Sequence, residues 1–253
     1  MIRILGIPLF AENIESATRL VLNESTLHNN NKLVSATGAH GLVYAKKRPK
    51  FKSILESFYL NLPDGMPGVW VGRMKGAHKM QRCYGPDFFE EVMVESASTQ
   101  MKHFFCGGKE GVADRLKDAC EMKFSNYNIV GTHCPPFKSV DEYDYDEISQ
   151  IIKESNADIV WIGLSTPKQE QFAFHLSKHT RVKFIICVGA AFDFHIGNVR
   201  QAPSWIQKMG MEWCFRLFME PKRLWKRYFE IVPLFIYYNF AEFVIGKFYK
   251  KES

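Results

Sequence analysis

A carboxylate held on a short rigid loop can take a proton from an attacking hydroxyl. One candidate stands in Leu62-Pro63-Asp64-Gly65-Met66-Pro67-Gly68, where Asp64 is flanked by prolines and glycines. An ordinary Asp-Gly turn uses the same residues, so this segment alone reads both ways. A second chemistry is anion binding. Phe105-Cys106-Gly107-Gly108-Lys109-Glu110-Gly111 sets a glycine pair between an apolar run and a helical pattern. Glycine lets the backbone come close to a phosphate, and a helix start supplies N–H donors. The segment is neither G-x-G-x-x-G nor a Walker loop, and a tight strand-to-helix turn accounts for it equally well. Gly163-Leu164-Ser165-Thr166-Pro167-Lys168-Gln169-Glu170 is another such junction. Pro167 suits the first helical position and Thr166 or Ser165 the cap. Gln169 and Glu170 then fall in the first turn, where a diphosphate or sugar could meet free N–H groups, or where Glu170 simply complements the helix dipole.

Metal chemistry is poorly supplied. Asp144-Tyr145-Asp146 has the D-x-D form that some sugar-nucleotide enzymes use for a divalent ion, but it lies just before an apolar helical pattern, where acids need no metal to explain them. Of the eight histidines only His175 and His179 stand four apart, without the glutamate of H-E-x-x-H between them, and His40 follows Thr37 closely enough to line a site. Cys83, Cys106, Cys120, Cys134, Cys187 and Cys214 are spread out with no C-x-x-C pair. That pattern fits free thiols in a reducing compartment rather than a disulfide framework. The expectation is no metal and no cofactor.

These residues need a scaffold. Candidate strands are Leu33–Thr37, His103–Cys106, Asn128–Gly131, Asp158–Gly163 and Lys183–Val188. Candidate helices are Asn13–Leu27, Gly38–Lys47, Glu110–Lys123, Tyr145–Ser155 and Pro167–Ser177. Alternation of this kind predicts an α/β fold with a mostly parallel, Rossmann-like sheet flanked by helices. In such sheets the carboxyl ends of the strands carry the ligand site, and three of the strand ends run into glycine- or threonine-containing turns: SATGAH, FFCGGKEG and VWIGLSTPKQE.

The 253 residues carry 33 Lys+Arg against 27 Asp+Glu, a net charge of +6. This suits an anionic partner without choosing among phosphate esters, nucleic acids and membranes. Almost all of the excess lies in residues 197–253, which hold ten Lys/Arg, five Glu and fourteen Phe, Trp or Tyr. The expected division is therefore a catalytic α/β domain over 1–196 and a basic, aromatic-rich helical appendage over 197–253. Such a segment reads as a membrane-surface element or lid, or as helices packed on the core. Its helical periodicity is interrupted by Pro221 and Pro233, so Arg216, Arg223 and Arg227 share a face only approximately. The N-terminus, MIRILGIPLF, does not read as a signal peptide. The apolar stretch Ile231–Ala241, at 11 residues, is too short to span a bilayer.

Taken together, several motifs resemble one family: the WecG/TagA/CpsF bacterial glycosyltransferases, glycosyltransferase family twenty-six. The matching stretches are TGAHGLVYA, LPDGMPGVWV, QRCYGPDFF, FFCGGKEGVADRL, IVGTHCPPF, GLSTPKQE, CVGAAFDFHIGNV and APSWIQKMGMEWCFRLFMEPKRLWKRYF, in family order from Leu33 to Phe229. The last is the most specific.

The resemblance implies an inverting, metal-independent transferase moving an N-acetylmannosamine-type or related sugar from a UDP-sugar to a polyprenyl-diphosphate-linked acceptor. It implies work at the inner face of the cytoplasmic membrane, in wall, capsule or other surface-polysaccharide assembly, with a membrane-touching appendage and possible homo-oligomers. Asp64 falls on the family's proposed base. Thr37, Arg82, Gln169 and Asp193 fall on its donor and acceptor pocket. For the diphosphate, the resemblance brings Arg216, Arg223 and Arg227, and the Gly107–Gly108 turn is a further candidate. Two positions depart from the pattern. Ala39 stands where many relatives have Asn, and Gln201 precedes Ala202-Pro203 where many have Arg, with Arg200 one residue early. The rival readings are a non-catalytic UDP-sugar-binding module and a basic nucleic-acid binder. The latter has no recognised nucleic-acid motif behind it.

Overall fold

The computed structural model describes residues 1–24 and 31–249, without the side chains of residues 24, 204, 208, 223 and 245–249. The chain opens with an antiparallel hairpin, β1 (Ile2–Ile4) and β2 (Ile7–Leu9), and then α1 (Ile14–Glu24). Next come β3 (Lys32–Thr37), α2 (Ala39–Lys47), α3 (Pro49–Glu56), β4 (Leu60–Pro63), α4 (Met66–Met74) and α5 (Gly85–Ser96). They are followed by β5 (His103–Gly107), α6 (Val112–Phe124), β6 (Ile129–His133), α7 (Tyr145–Ser155), β7 (Ile159–Gly163), α8 (Lys168–Leu176), β8 (Phe184–Cys187) and α9 (Ala191–His195). The C-terminal segment forms α10 (Ser204–Lys208), α11 (Glu212–Met219) and α12 (Pro221–Tyr249).

Six strands form one parallel sheet in the order β4-β3-β8-β7-β5-β6. The expected α/β architecture is present. Its strands are apolar on both sides, as a parallel sheet sandwiched between helices requires. In β5, Phe105 packs into one core with Phe88, Phe89, Trp161 and Phe192. Its neighbours Phe104 and Cys106 point to the opposite core with Val160, Phe172 and Ile185. That alternation is the period of two of a strand. Helices α1, α5, α6 and α9 cover the first face; α7 and α8 cover the second, with α3 alongside α8.

All six strands end at one edge. From β5 the chain leads outward to β6, and from β7 it turns the opposite way to β8, so their loops part over a crevice. On the far side, the outer strand β4 is flanked by the hairpin. The Phe10 N–H donates to Asn61 O at 2.8 Å, and Asn61 Nδ2 donates to Leu55 O at 2.8 Å and Pro8 O at 3.3 Å.

Two expectations change. β4 was absent from the predicted strands: it is four residues long, ends in proline and centres on a buried polar Asn61, so neither alternation nor an apolar run marks it. Helix α12 runs through Pro233 without interruption. A proline inside a helix costs about 3 kcal/mol. Here Ile231 and Phe235 on either side bury themselves in a third core with Leu42, Phe51 and the hairpin residues Ile4 and Ile7, which offsets that cost. Among the described residues no helix is long and apolar enough to cross a membrane.

Candidate active site

Asp64 directly follows β4 at the carboxyl edge of the sheet. Its N–H donates to Thr37 O at 3.3 Å, and its Oδ1 accepts the Gly85 N–H at 2.8 Å. Gly85 has no room for a side chain. A β-carbon there would lie 2.9 Å from Val188 O and 3.3 Å from the Ala36 β-carbon. This close approach is what lets the first N–H of α5 reach the carboxylate. The second oxygen, Oδ2, faces the start of α2: a β-carbon built on Gly38 would lie 3.7 Å from it. Burial pushes the Asp64 carboxyl up to about 7; the Gly85 hydrogen bond opposes the rise, Glu212 adds to it, and Arg216 and Arg82 oppose it. A carboxylate poised near neutrality with one open oxygen is suited to general-base work.

The appendage closes over the α5 side of this corner. Arg82 donates Nη1 to Glu212, and Nη2 to Gln207 Oε1 at 2.6 Å and Asp87 Oδ2 at 3.2 Å. Its guanidinium stacks 4.7 Å from the Tyr84 ring. Gln201 Nε2 donates to Asp87 Oδ1 at 3.0 Å, so the residue that departs from the family's usual arginine joins the same clamp. Arg216 lies over the Phe194 ring at 5.6 Å and 3.8 Å from Glu220 Oε1. Among the described residues, Glu212 Oε1 and Arg216 Nε are buried without a hydrogen-bond partner. The Tyr84 hydroxyl is buried near Glu212 with no hydrogen bond of normal geometry. Buried polar groups are seldom left so, and these three lie together on the α5 side of Asp64.

A polar ladder runs along the edge from Asn61 to Gly189. Thr37 Oγ1 donates to Asn61 Oδ1 at 3.3 Å and sits 3.2 Å from Ser35 Oγ. Ser35, Thr166 and Gln169 all donate to Glu170 Oε1, at 3.0, 2.8 and 2.9 Å. Burial raises the Glu170 carboxyl, while the bonds from Gln169, Thr166 and Ser35 pull it down. Gln169 Oε1 accepts the Gly189 N–H at 2.9 Å. The Gln169 amide therefore ties the β7 and β8 turns together.

The sequence model of the glycosyl transferase WecG/TagA/CpsF family matches residues 2–247. The chain belongs to that family. An N-acetylglucosaminyldiphosphoundecaprenol N-acetyl-beta-D-mannosaminyltransferase of Bacillus subtilis is 30% identical over 190 residues, covering 74% of this chain and 71% of the relative. An enzyme of the same name from Bacillus spizizenii is 29% identical over 188 residues, covering 74% and 70%. The chain is thus a WecG/TagA/CpsF glycosyltransferase, and its parallel sheet with a helical C-terminal segment is the scaffold of that activity.

Within this family member the expected site residues do not all gather in one place. Asp64, Thr37, Arg82 and Arg216 gather at the β3–β4 end of the edge. Gln169 lies in the same ladder, with its amide engaged by Gly189, Glu170 and Thr166. Asp193 sits on α9, accepting from Asn198 Nδ2 at 3.0 Å. The Gly107–Gly108 turn is not brought to Asp64. Four strand spacings of about 4.8 Å separate β5 from β4, roughly 19 Å across the sheet. The glycines have a packing reason of their own: a β-carbon on Gly107 would meet the Gly163 backbone at 3.0 Å, and one on Gly108 would meet Val112 at 2.7 Å.

The basic residues of the appendage also separate. Pro221 starts a new helix, which sends Arg216 toward Phe194 and Tyr84 on the α5 side and Arg227 toward His40 on the α2 side. Arg223 lies on α12 with its side chain outside the described ones. Asp144 caps α7, accepting from Glu147 N at 2.9 Å, and Asp146 accepts from His179 Nδ1 at 2.7 Å. Tyr84, Glu212, Gln207, Ser35, Asn61 and Glu170 were not predicted as site residues. Glu212 does lie in the quoted stretch APSWIQKMGMEWCFRLFMEPKRLWKRYF, among the aromatic and basic positions that made it the most specific, and that was the available signal.

Proposed function

We propose that the protein is an inverting, metal-independent hexosyltransferase that moves an N-acetylmannosamine-type sugar from a UDP-sugar to a polyprenyl-diphosphate-linked sugar. The observation that carries this reading is Asp64 at the sheet edge, buried enough to titrate near neutrality, with Oδ1 fixed and Oδ2 open. Asp64 Oδ2 takes the acceptor hydroxyl proton as the oxygen attacks the anomeric carbon. The bond from that carbon to the UDP oxygen breaks, and UDP leaves with the electron pair. A positioned base contributes about 10²–10⁴-fold. The charge gathering on the diphosphate meets Arg216, and Arg82 once its carboxylate partners yield to it, which are arginine forks suited to phosphate oxygens. The names of the relatives support the acceptor class. Exposed Trp205, Trp213, Phe218, Trp225 and Phe229 on the appendage, beside Lys222 and Lys226, support peripheral attachment to an anionic membrane face, and the cytoplasmic side is where a nucleotide sugar is supplied.

The test incubates the full chain with a panel of UDP-sugars and a short-chain prenyl-diphosphate-N-acetylglucosamine, with and without a chelator, and reads products by mass spectrometry and anomeric NMR. The expected product is a disaccharide of opposite anomeric configuration to the donor, formed equally with chelator. UDP binding without any product would leave only a sugar-nucleotide-binding module. Retention of configuration would remove the single displacement by an Asp64-activated hydroxyl.

A further inference from the structure

On the α2 side of the edge lies a groove that no described role uses. It is a cavity of 430 Å³ between α2, α12 and the turn after β7, lined by His40, Tyr44, Lys47, Arg48, Thr166 and Arg227 among others. Three cations face one carboxylate, Glu230, whose Oε1 accepts from Lys47 Nζ at 2.6 Å. Its upper end touches the site already described. A β-carbon on Gly41 would lie 3.3 Å from Thr37 Cγ2 and 3.6 Å from Thr166 Cγ2, and Thr166 belongs to the Glu170 ladder. Its α12 wall carries Arg227 between Trp225 and Phe229, both exposed.

The orientation of Asp64 decides which substrate this groove can serve. Oδ1 is held from the α5 side by Gly85, and among the described residues Oδ2 has no hydrogen-bond donor and faces Gly38, two residues before His40. An acceptor hydroxyl must therefore approach from the α2 side. In a single displacement with inversion the leaving group departs from the opposite face of the sugar ring, toward Tyr84 and Arg216. One groove cannot hold both diphosphates. We infer that the α2–α12 groove is the subsite for the diphosphate of the lipid-linked acceptor, with Lys47, Arg48 and Arg227 as its cations and the exposed rings of α12 beside it for the prenyl chain. This rests on the acceptor class proposed above. Charge-assisted hydrogen bonds from lysine and arginine are among the strong ones available to a diphosphate.

The test is the paired substitution Lys47→Ala with Arg48→Ala. Both side chains are exposed, and their loss leaves the buried cores untouched. Two readouts are taken: steady-state kinetics with a water-soluble short-chain prenyl-diphosphate acceptor, and calorimetric binding of geranyl diphosphate without donor. The expected result is a rise of about tenfold or more in acceptor KM, with donor KM and kcat at saturating acceptor within about twofold of wild type. Geranyl diphosphate binding should fall in parallel, and Lys47→Arg with Arg48→Lys should restore both. An unchanged acceptor KM, or an equal rise in donor KM, overturns the assignment. So does a variant that loses sedimentation with phosphatidylglycerol vesicles while its soluble-acceptor kinetics stay normal, since the groove would then read a lipid headgroup. If wild type makes no glycosyl product yet binds geranyl diphosphate through Lys47 and Arg48, the transfer reading fails and the diphosphate subsite stands.

Discussion

Asp64 and Glu170 are both carboxylates at the carboxyl edge of the sheet, and both are raised by burial. Their surroundings differ in kind. Glu170 receives three side-chain donors on one oxygen and is almost wholly enclosed. Asp64 receives one backbone N–H, and its other oxygen is open toward α2. Glu170 is anchored through Oε1 by its own chain, and its Oε2 is buried without a partner among the described residues, so it organises that chain and is closed to a substrate. A carboxylate with an open oxygen and a value near neutrality can exchange a proton with a substrate. Burial shifts both in the same direction; their partners and their access to the crevice distinguish them.

The sharpest way to break this contrast is Asp64→Asn. The isostere keeps the Gly85 contact and should lower kcat by at least about tenfold, and up to about 10⁴-fold, with an unchanged circular dichroism spectrum. Near-wild-type turnover would take the base role from Asp64.

Glu170→Ala should act on stability. It strands the donors of Ser35, Thr166 and Gln169, each costing about 1–3 kcal/mol when buried unsatisfied. At roughly 2–4 °C per kcal/mol for a chain of this size, a calorimetric scan should show Tm lower by several degrees. The pH dependence of the residual activity should keep its shape. A shifted pH–rate limb would make Glu170 part of the proton chemistry.

A smaller effect follows from linkage at Asp64. Its folded value, about 7, exceeds the ordinary 3.8. The folded state therefore holds this proton more tightly, and the associated stability is complete below the unfolded value and lost as pH rises through 7. Asp64→Asn escapes that loss. Its Tm should exceed that of wild type by a few degrees at pH 8, and the gap should close toward pH 4.

The smallest change concerns Glu212, which helps raise Asp64. Removing its charge with Glu212→Gln should move the acid limb of kcat/KM to lower pH, by less than about one unit, because the base then stays ionised further down. A limb moving upward would mean that loosening Arg82, rather than loss of the acid, dominates.

Much of the scaffold was legible beforehand. The five candidate strands matched real ones within a few residues, because each is an apolar run ending at a glycine or threonine turn. Asp64 stood out for its prolines and glycines, yet the strand beneath it did not, since Asn61 is polar and still buried. The clamp around Arg82 was beyond reach for another reason. Glu212 and Gln207 meet it from more than a hundred residues away, and no local period encodes such a meeting. Gly107 and Gly108 stay two-sided: the turn packs on the Gly163 backbone, and the same letters suit the approach of a phosphate.

The opening hairpin has a bearing on how the enzyme can be handled. By covering the outer rim of β4 and fastening Asn61, it steadies the acceptor of the Thr37 hydroxyl from outside the pocket. Trimming the first ten residues would bare an unpaired strand to any passing chain and slacken Thr37 in the same stroke, so clumping and weakened turnover should arrive together, although nothing removed ever touches a sugar.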